Sequence, residues 1–95
     1  MSGFRPYARY SPTADAIYVY LSNKPIAFSH RLDDYRLIDY SADGAVVGVE
    51  FLGISGGIDR NDLPLSPSDR AAILTLLHAA LRGPSTPPPA SASGP

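Results

Sequence analysis

Tyr35-Arg36-Leu37-Ile38-Asp39-Tyr40-Ser41-Ala42-Asp43-Gly44-Ala45-Val46-Val47-Gly48-Val49-Glu50-Phe51-Leu52 holds two β-prone runs either side of a tight turn. Ser41-Ala42-Asp43-Gly44 reads as a type I turn with Gly44 in the left-handed position that glycine adopts without steric cost. A three-residue loop at Ala42–Gly44 pairs Ser41 with Ala45, Tyr40 with Val46, Ile38 with Gly48 and Arg36 with Glu50. The chain's only glutamate then faces an arginine. A two-residue loop at Asp43-Gly44 would instead set Glu50 against Leu37 and strand its charge, so the longer loop is preferred.

Upstream, the same alternation continues with turn residues every eight to twelve positions. Strands are expected at Phe4–Tyr10, Ala16–Leu21 and Ile26–Leu32, ahead of Tyr35–Tyr40 and Ala45–Leu52. Ser11-Pro12-Thr13-Ala14-Asp15 and Ser22-Asn23-Lys24-Pro25 separate the first three, because proline lacks a donor and Ser, Asn and Asp bond the local backbone. Ala16–Leu21 is apolar or aromatic on both faces, which suits a central strand or a dimer interface. Gly53, Ile54, Ser55, Gly56 and Gly57 begin an irregular connector up to Asp62. Although glycine-rich, it lacks the lysine and the adjoining helix N-terminus of a phosphate cradle.

A helix is expected over about 67–82. Ser66 suits the N-cap, Pro67 the first helical position and Asp69 the first turn. Ile73, Leu74, Leu77, Ala80 and Leu81 form an apolar stripe widened by Leu76, and Arg82-Gly83-Pro84 supplies a basic last turn, a C-cap glycine and a stop. Five of the ten prolines lie in Pro84–Pro95 among Ser, Thr, Ala and Gly, a composition too poor in large side chains to offset its ordering entropy. The expected architecture is α+β: one domain over 4–83, a five-stranded antiparallel β-meander with one C-terminal α-helix, followed by a disordered tail over 84–95.

With 95 residues, 44% hydrophobic and 18% charged, the chain has room for one small core. A formal net charge of -1 offers no basic footprint for a phosphate backbone and disfavours nucleic acid as a partner. The absence of cysteine excludes disulfides, thiolate zinc sites and cysteine nucleophiles. Met1–Arg9 has no apolar run of signal-peptide or membrane-span length, so a cytoplasmic protein without membrane attachment is expected.

Tyr10-Ser11-Pro12-Thr13-Ala14-Asp15-Ala16-Ile17-Tyr18-Val19-Tyr20-Leu21, then Leu37-Ile38-Asp39-Tyr40, Asp43-Gly44 and Val47-Gly48-Val49-Glu50, resembles the short bacterial proteins of the domain of unknown function 2283 family. The resemblance spans 7–52. It implies a compact, mostly β domain with no established activity. The similarity in size of some members to antitoxin-like proteins encoded beside small toxins implies a protein partner. The family's turn is usually richer in acids than Ser41-Ala42, which argues against a cation bound there.

Asp15, Asp39 and Glu50 are the acids that match the family, and with His30 they form the candidate set for a small enzyme or a divalent-metal binder. The simpler reading is structural: Asp15 accepts backbone N–H groups after its proline turn, and Glu50 pairs with Arg36. His78, beside the helical stripe, has no second ligand at metal spacing. No serine sits in a glycine-flanked nucleophile elbow. No catalytic residue, metal or cofactor is therefore assigned. Tyrosine and arginine combine contact area with a polar handle, which makes Tyr18, Tyr20, Tyr35, Tyr40, Arg31 and Arg36 the candidate interface. The sequence thus reads as a non-enzymatic, self-associating protein-interaction module, a homodimer that offers a tyrosine-rich strand surface to a further protein.

Overall fold

The computed structural model describes residues 3–82. Five strands, β1 (Tyr7–Ser11), β2 (Ala16–Tyr20), β3 (Phe28–Asp33), β4 (Arg36–Tyr40) and β5 (Val46–Leu52), precede a short 3-10 turn at Ile54–Gly56 and the helix α1 (Pro67–Arg82). The expected C-cap Gly83 and the tail over 84–95 lie outside the described residues.

All strand pairings are antiparallel, in the order β1-β2-β5-β4-β3. The five strands and the terminal helix are those read from the sequence, but their spatial order is not consecutive. A β1–β2 hairpin is docked on a β3–β4–β5 meander through β2 and β5. The reason is visible in the strands themselves. Val46–Leu52 is the most continuously buried segment and takes the centre, whereas the exposed β1 and β3 take the edges. The chain passes from β2 to the far edge over the end of the sheet. There the Leu21 and Ser22 amides both donate to the Val47 carbonyl, and the Lys24 ammonium meets Asp43 Oδ2 at 2.9 Å.

The three-residue loop forms as read: Gly44 has φ 86°, its amide donates to the Ser41 carbonyl, and the Ser41 amide donates to the Ala45 carbonyl. Tyr40 faces Val46. A register shift then places Asp39 opposite Gly48, Ile38 opposite Val49, Leu37 opposite Glu50 and Arg36 opposite Phe51. The extra residue, Val47, is the one whose carbonyl receives the crossing segment. This bulge overturns the expected pairing of Arg36 with Glu50, because one inserted residue exchanges the faces on which the partners lie.

One face of the sheet carries the core. Ile17, Val19, Ile38, Val49 and Phe51 project from it onto Ile73 and Leu77 of α1, and Leu63 and Leu65 of the preceding connector complete the cover. The helix starts as expected, since the Ser66 hydroxyl accepts the Asp69 amide at 3.1 Å. Its inward side is spaced by four residues, so Ile73 and Leu77 both lose all contact with water. The connector is more ordered than its glycines suggest. Asp15, at a positive φ of 54°, accepts the Ser55 amide at 3.0 Å and the Ser55 hydroxyl at 2.8 Å, so the β1–β2 turn holds the start of the connector.

Removing the Leu77 side chain opens a cavity between helix and sheet. Leu77→Ala is expected to lower unfolding free energy by about 2–5 kcal/mol in urea denaturation. His78→Ala, at an exposed position of the next residue, should change it by less than about 0.5 kcal/mol.

Candidate functional site

The face of the sheet opposite α1 is crossed by two rows of side chains fixed by strand register. The first runs Arg9, Tyr18, Glu50, Leu37, Arg31 from β1 to β3; the second runs Tyr7, Tyr20, Gly48, Asp39, Ser29. Among the described residues no helix packs on this face.

Gly48 is the reason the rows interlock. Its missing side chain leaves a gap in β5 across which the Tyr18 ring lies, and the phenol reaches β4 to donate to Asp39 Oδ2 at 2.5 Å. A Cβ at Gly48 would stand 2.4 Å from Tyr18 Cε1 and 2.6 Å from the Val19 carbonyl oxygen. Asp39 is 5% exposed, and its other oxygen accepts a hydrogen bond from the Ser29 hydroxyl. One carboxylate therefore joins β2, β4 and β3 across β5. Burial, followed by the hydrogen bond to Asp39 and the charge beside it, pushes the Tyr18 hydroxyl above its ordinary pKa of 10.0.

The aromatic rings continue towards β1. Tyr18 and Tyr20 centroids are 4.3 Å apart, Tyr20 stacks on Tyr7 at 4.6 Å, and Phe4 lies 6.2 Å from Tyr7. Arg9 and Glu50 stand on either side of Tyr18 in its row, and neither makes an ion pair among the described residues. Arg31, further along, donates to the Asp33 carbonyl at 3.3 Å.

The acids of the sequence-derived set do not converge. Asp15 holds Ser55 at the hairpin turn, Asp39 holds Tyr18 and Ser29, Glu50 lies beside Tyr18, and His30 is opposite Ile38 on the exposed strand β3. Among the described residues no three His, Asp or Glu side chains are arranged to hold a metal ion. Asp39 is accounted for by two hydroxyl donors.

The interface candidates separate in the same way. Tyr18 and Tyr20 share the open face, and Arg31 lies on its β3 edge. Tyr40 stacks on Phe28 at 5.1 Å. Tyr35 is 62% exposed at the β3–β4 turn and covers Gly53. Arg36 is a correction: it is 6% exposed and its guanidinium is fully engaged inside the fold. Its Nε and Nη2 donate to Asp33 Oδ2 at 2.9 and 2.7 Å, and Nη1 donates to the Asn61 carbonyl at 2.5 Å. The bulge at Val47 turned Arg36 inward, where it ties the connector to β4 and holds the Asp33 carboxyl below its ordinary pKa. Sequence reasoning missed Gly48 and Ser29 as partners of the tyrosine row. A glycine in mid-strand signals a close approach, and that signal was present.

Gly48→Ala forces the new methyl against backbone, which a rotamer change cannot relieve. It is expected to cost about 1–3 kcal/mol or more in denaturant unfolding. A second expectation concerns pH. Below pH 10 the Tyr18 phenol is protonated in both states and its contribution is complete. Above that, the unfolded phenol ionises while the folded one keeps its proton, so stability falls as pH rises. Urea midpoints measured between roughly pH 8 and 11 should decline less steeply in Tyr18→Phe than in the parent chain.

Among the described residues no helix is long and apolar enough to cross a membrane. No match was found among curated proteins or among solved structures. Residues 8–55 match a family described as Protein of unknown function (DUF2283), a span that contains β2–β5 and all of β1 but Tyr7, together with Tyr18, Asp39, Gly48 and Glu50. The chain belongs to this family.

Proposed function

We propose that the protein is a self-recognition module in which the open sheet face pairs with the same face of a second copy. The observation that carries this reading is the row Arg9–Tyr18–Glu50, in which two opposite charges without an ion pair flank an aromatic side chain at equal spacing. A twofold axis along β2 brings Arg9 of each copy over Glu50 of the other, sets Tyr18 and Tyr20 over their own counterparts and places Tyr7 over Gly48. Such an interface is isologous, so each favourable contact occurs twice. Tyrosine supplies contact area at low entropic cost, and the paired charges set the orientation.

Size determines the strength. Three strands, β1, β2 and β5, spaced about 4.8 Å apart and about 17 Å long, make a patch of about 250 Å² of flat sheet on each copy. Doubled, and with side-chain relief added, it stays below the roughly 1,200 Å² at which standard interfaces begin. The pairing is therefore reversible and concentration-dependent, in contrast to an obligate dimer. Nor does the fold require a partner, because α1, Leu63 and Leu65 already cover the core face.

Sedimentation analysis from micromolar concentration to about 1 mM should show a monomer–dimer equilibrium. Glu50→Arg makes the row uniformly basic and should leave a folded monomer. Adding Arg9→Glu to Glu50→Arg restores the opposite signs and should restore the dimer. A monomer throughout the range, or a dimer indifferent to Glu50→Arg, overturns the reading.

A further inference from the structure

The two edges of the sheet are not alike. β1 is bracketed by Pro6 and Pro12, and α1 packs against it. β3 has no proline between Ile26 and Asp33, and among the described residues no strand pairs with its outer edge. Phe28, Ser29, His30 and Arg31 are exposed in succession, so both faces of this edge meet water. Such a strand presents backbone N–H and C=O groups to any further strand that approaches.

Alternate residues divide its chemistry. Ser29 and Arg31 stand beside Asp39 and Leu37, where they end the two rows of the open face at the side away from β1. Phe28 and His30 lie on the other face, opposite Tyr40 and Ile38. The Arg31 guanidinium donates to the Asp33 and Asp34 carbonyls at 3.3 and 3.5 Å, and among the described residues neither it nor His30 is bonded to a carboxylate. Phe28 stacks on Tyr40 yet is 52% exposed, as is Ile26. Past them the edge runs into a hollow of about 340 Å³ lined by Pro25, Ile26, Ala27 and Ala42.

We infer that the outer edge of β3 takes up an extended acidic segment of another protein as a further, antiparallel strand. Charge selects this occupant. Cross-strand Cβ atoms stand about 5 Å apart, and opposite charges facing each other there stabilise the pair. The residues that face Arg31 and His30 are consecutive, so the segment carries two successive acids, one carboxylate meeting the guanidinium and the next the imidazole N–H. Two positions further along, the incoming strand faces Phe28, and two beyond that it reaches Ile26 and the hollow, so apolar residues belong at both. Main-chain hydrogen bonds join the strand to the edge, while the acids and the apolar side chains fix its register. A second copy of β3 does not meet this pattern. Its own carboxylate, Asp33, lies past the bulge and is held by Arg36 at 2.7 Å, so the paired strand would bring Arg31 no free acid.

The probe is the acetylated and amidated peptide Thr-Glu-Glu-Thr-Ile-Thr-Val, titrated at low ionic strength to about 2 mM into the full-length, ¹⁵N-labelled chain. Amide shifts should concentrate at Phe28–Arg31, and hydrogen exchange along β3 should slow. The counterpart with both glutamates replaced by lysine should bind at least about tenfold more weakly. His30→Glu combined with Arg31→Glu, both at exposed positions, should reverse that preference. Absence of shifts, shifts confined to Tyr18 and Tyr20, equal binding of the two peptides, or a preference unchanged in the double variant overturns the inference. Shifts in β3 that grow with protein concentration in the absence of peptide assign the edge to a second copy and also overturn it. Pairing through the open face is read separately, by sedimentation of Glu50→Arg, so either reading can fail alone.

Discussion

A phenol that passes over a glycine to reach a buried carboxylate holds the open side of this sheet together. Strands are joined edge to edge by backbone hydrogen bonds, but those bonds reach only the adjacent strand. The Tyr18–Asp39 bond bypasses β5 and joins the hairpin to the meander directly, and Ser29 extends the connection to the far edge. The seam between β2 and β5 is thereby held from both faces, by Val19 and Val49 beneath and by the Tyr18 ring above. A buried carboxylate is costly unless its oxygens are satisfied, and here each oxygen has a hydroxyl donor. The same arrangement requires that residue 48 have no side chain.

The two faces differ in kind. Beneath the sheet, aliphatic side chains are sealed by a helix and two connector leucines. Above it, a run of aromatic rings leads to Asp39 and Ser29, and among the described residues Arg9 and Glu50 stand without ion pairs. Such a surface keeps its apolar atoms in contact with one another while presenting both signs of charge. Arg36 belongs to neither surface. Its guanidinium fastens the connector to the core, and a residue chosen for its chemistry as a recognition group turns out to be a structural one.

Most of the fold was legible in the residues. Ser66, Pro67 and Asp69 marked the helix start, the Ser41–Gly44 turn gave the loop that forms, and the alternation located all five strands to within a few positions. Strand order was not legible, because a segment such as Ser22–Ala27 reads the same whether it turns to a neighbour or crosses the sheet end. The register beyond Tyr40 failed for a related reason: the bulge at Val47 is required by a carbonyl shared with Leu21 and Ser22, a contact between segments distant in sequence. That single displaced residue moved Arg36 from one face to the other and separated it from Glu50. Asp39 could be singled out as unexplained, but its partners became visible only once Gly48 was placed opposite Tyr20 and beneath Tyr18.

The crossing segment also shapes how the chain finds its native state. The hairpin and the meander each close through local contacts, whereas the β2–β5 pairs join residues about thirty positions apart. Closing that seam carries a larger loop-closure entropy than closing the hairpin or the meander. Until it closes, β2 and β5 each display an unpaired edge of matching sequence register. In a crowded refolding mixture those edges can find each other on different molecules, and the span from Leu21 to Ala27 would then serve as the hinge of a hairpin exchange.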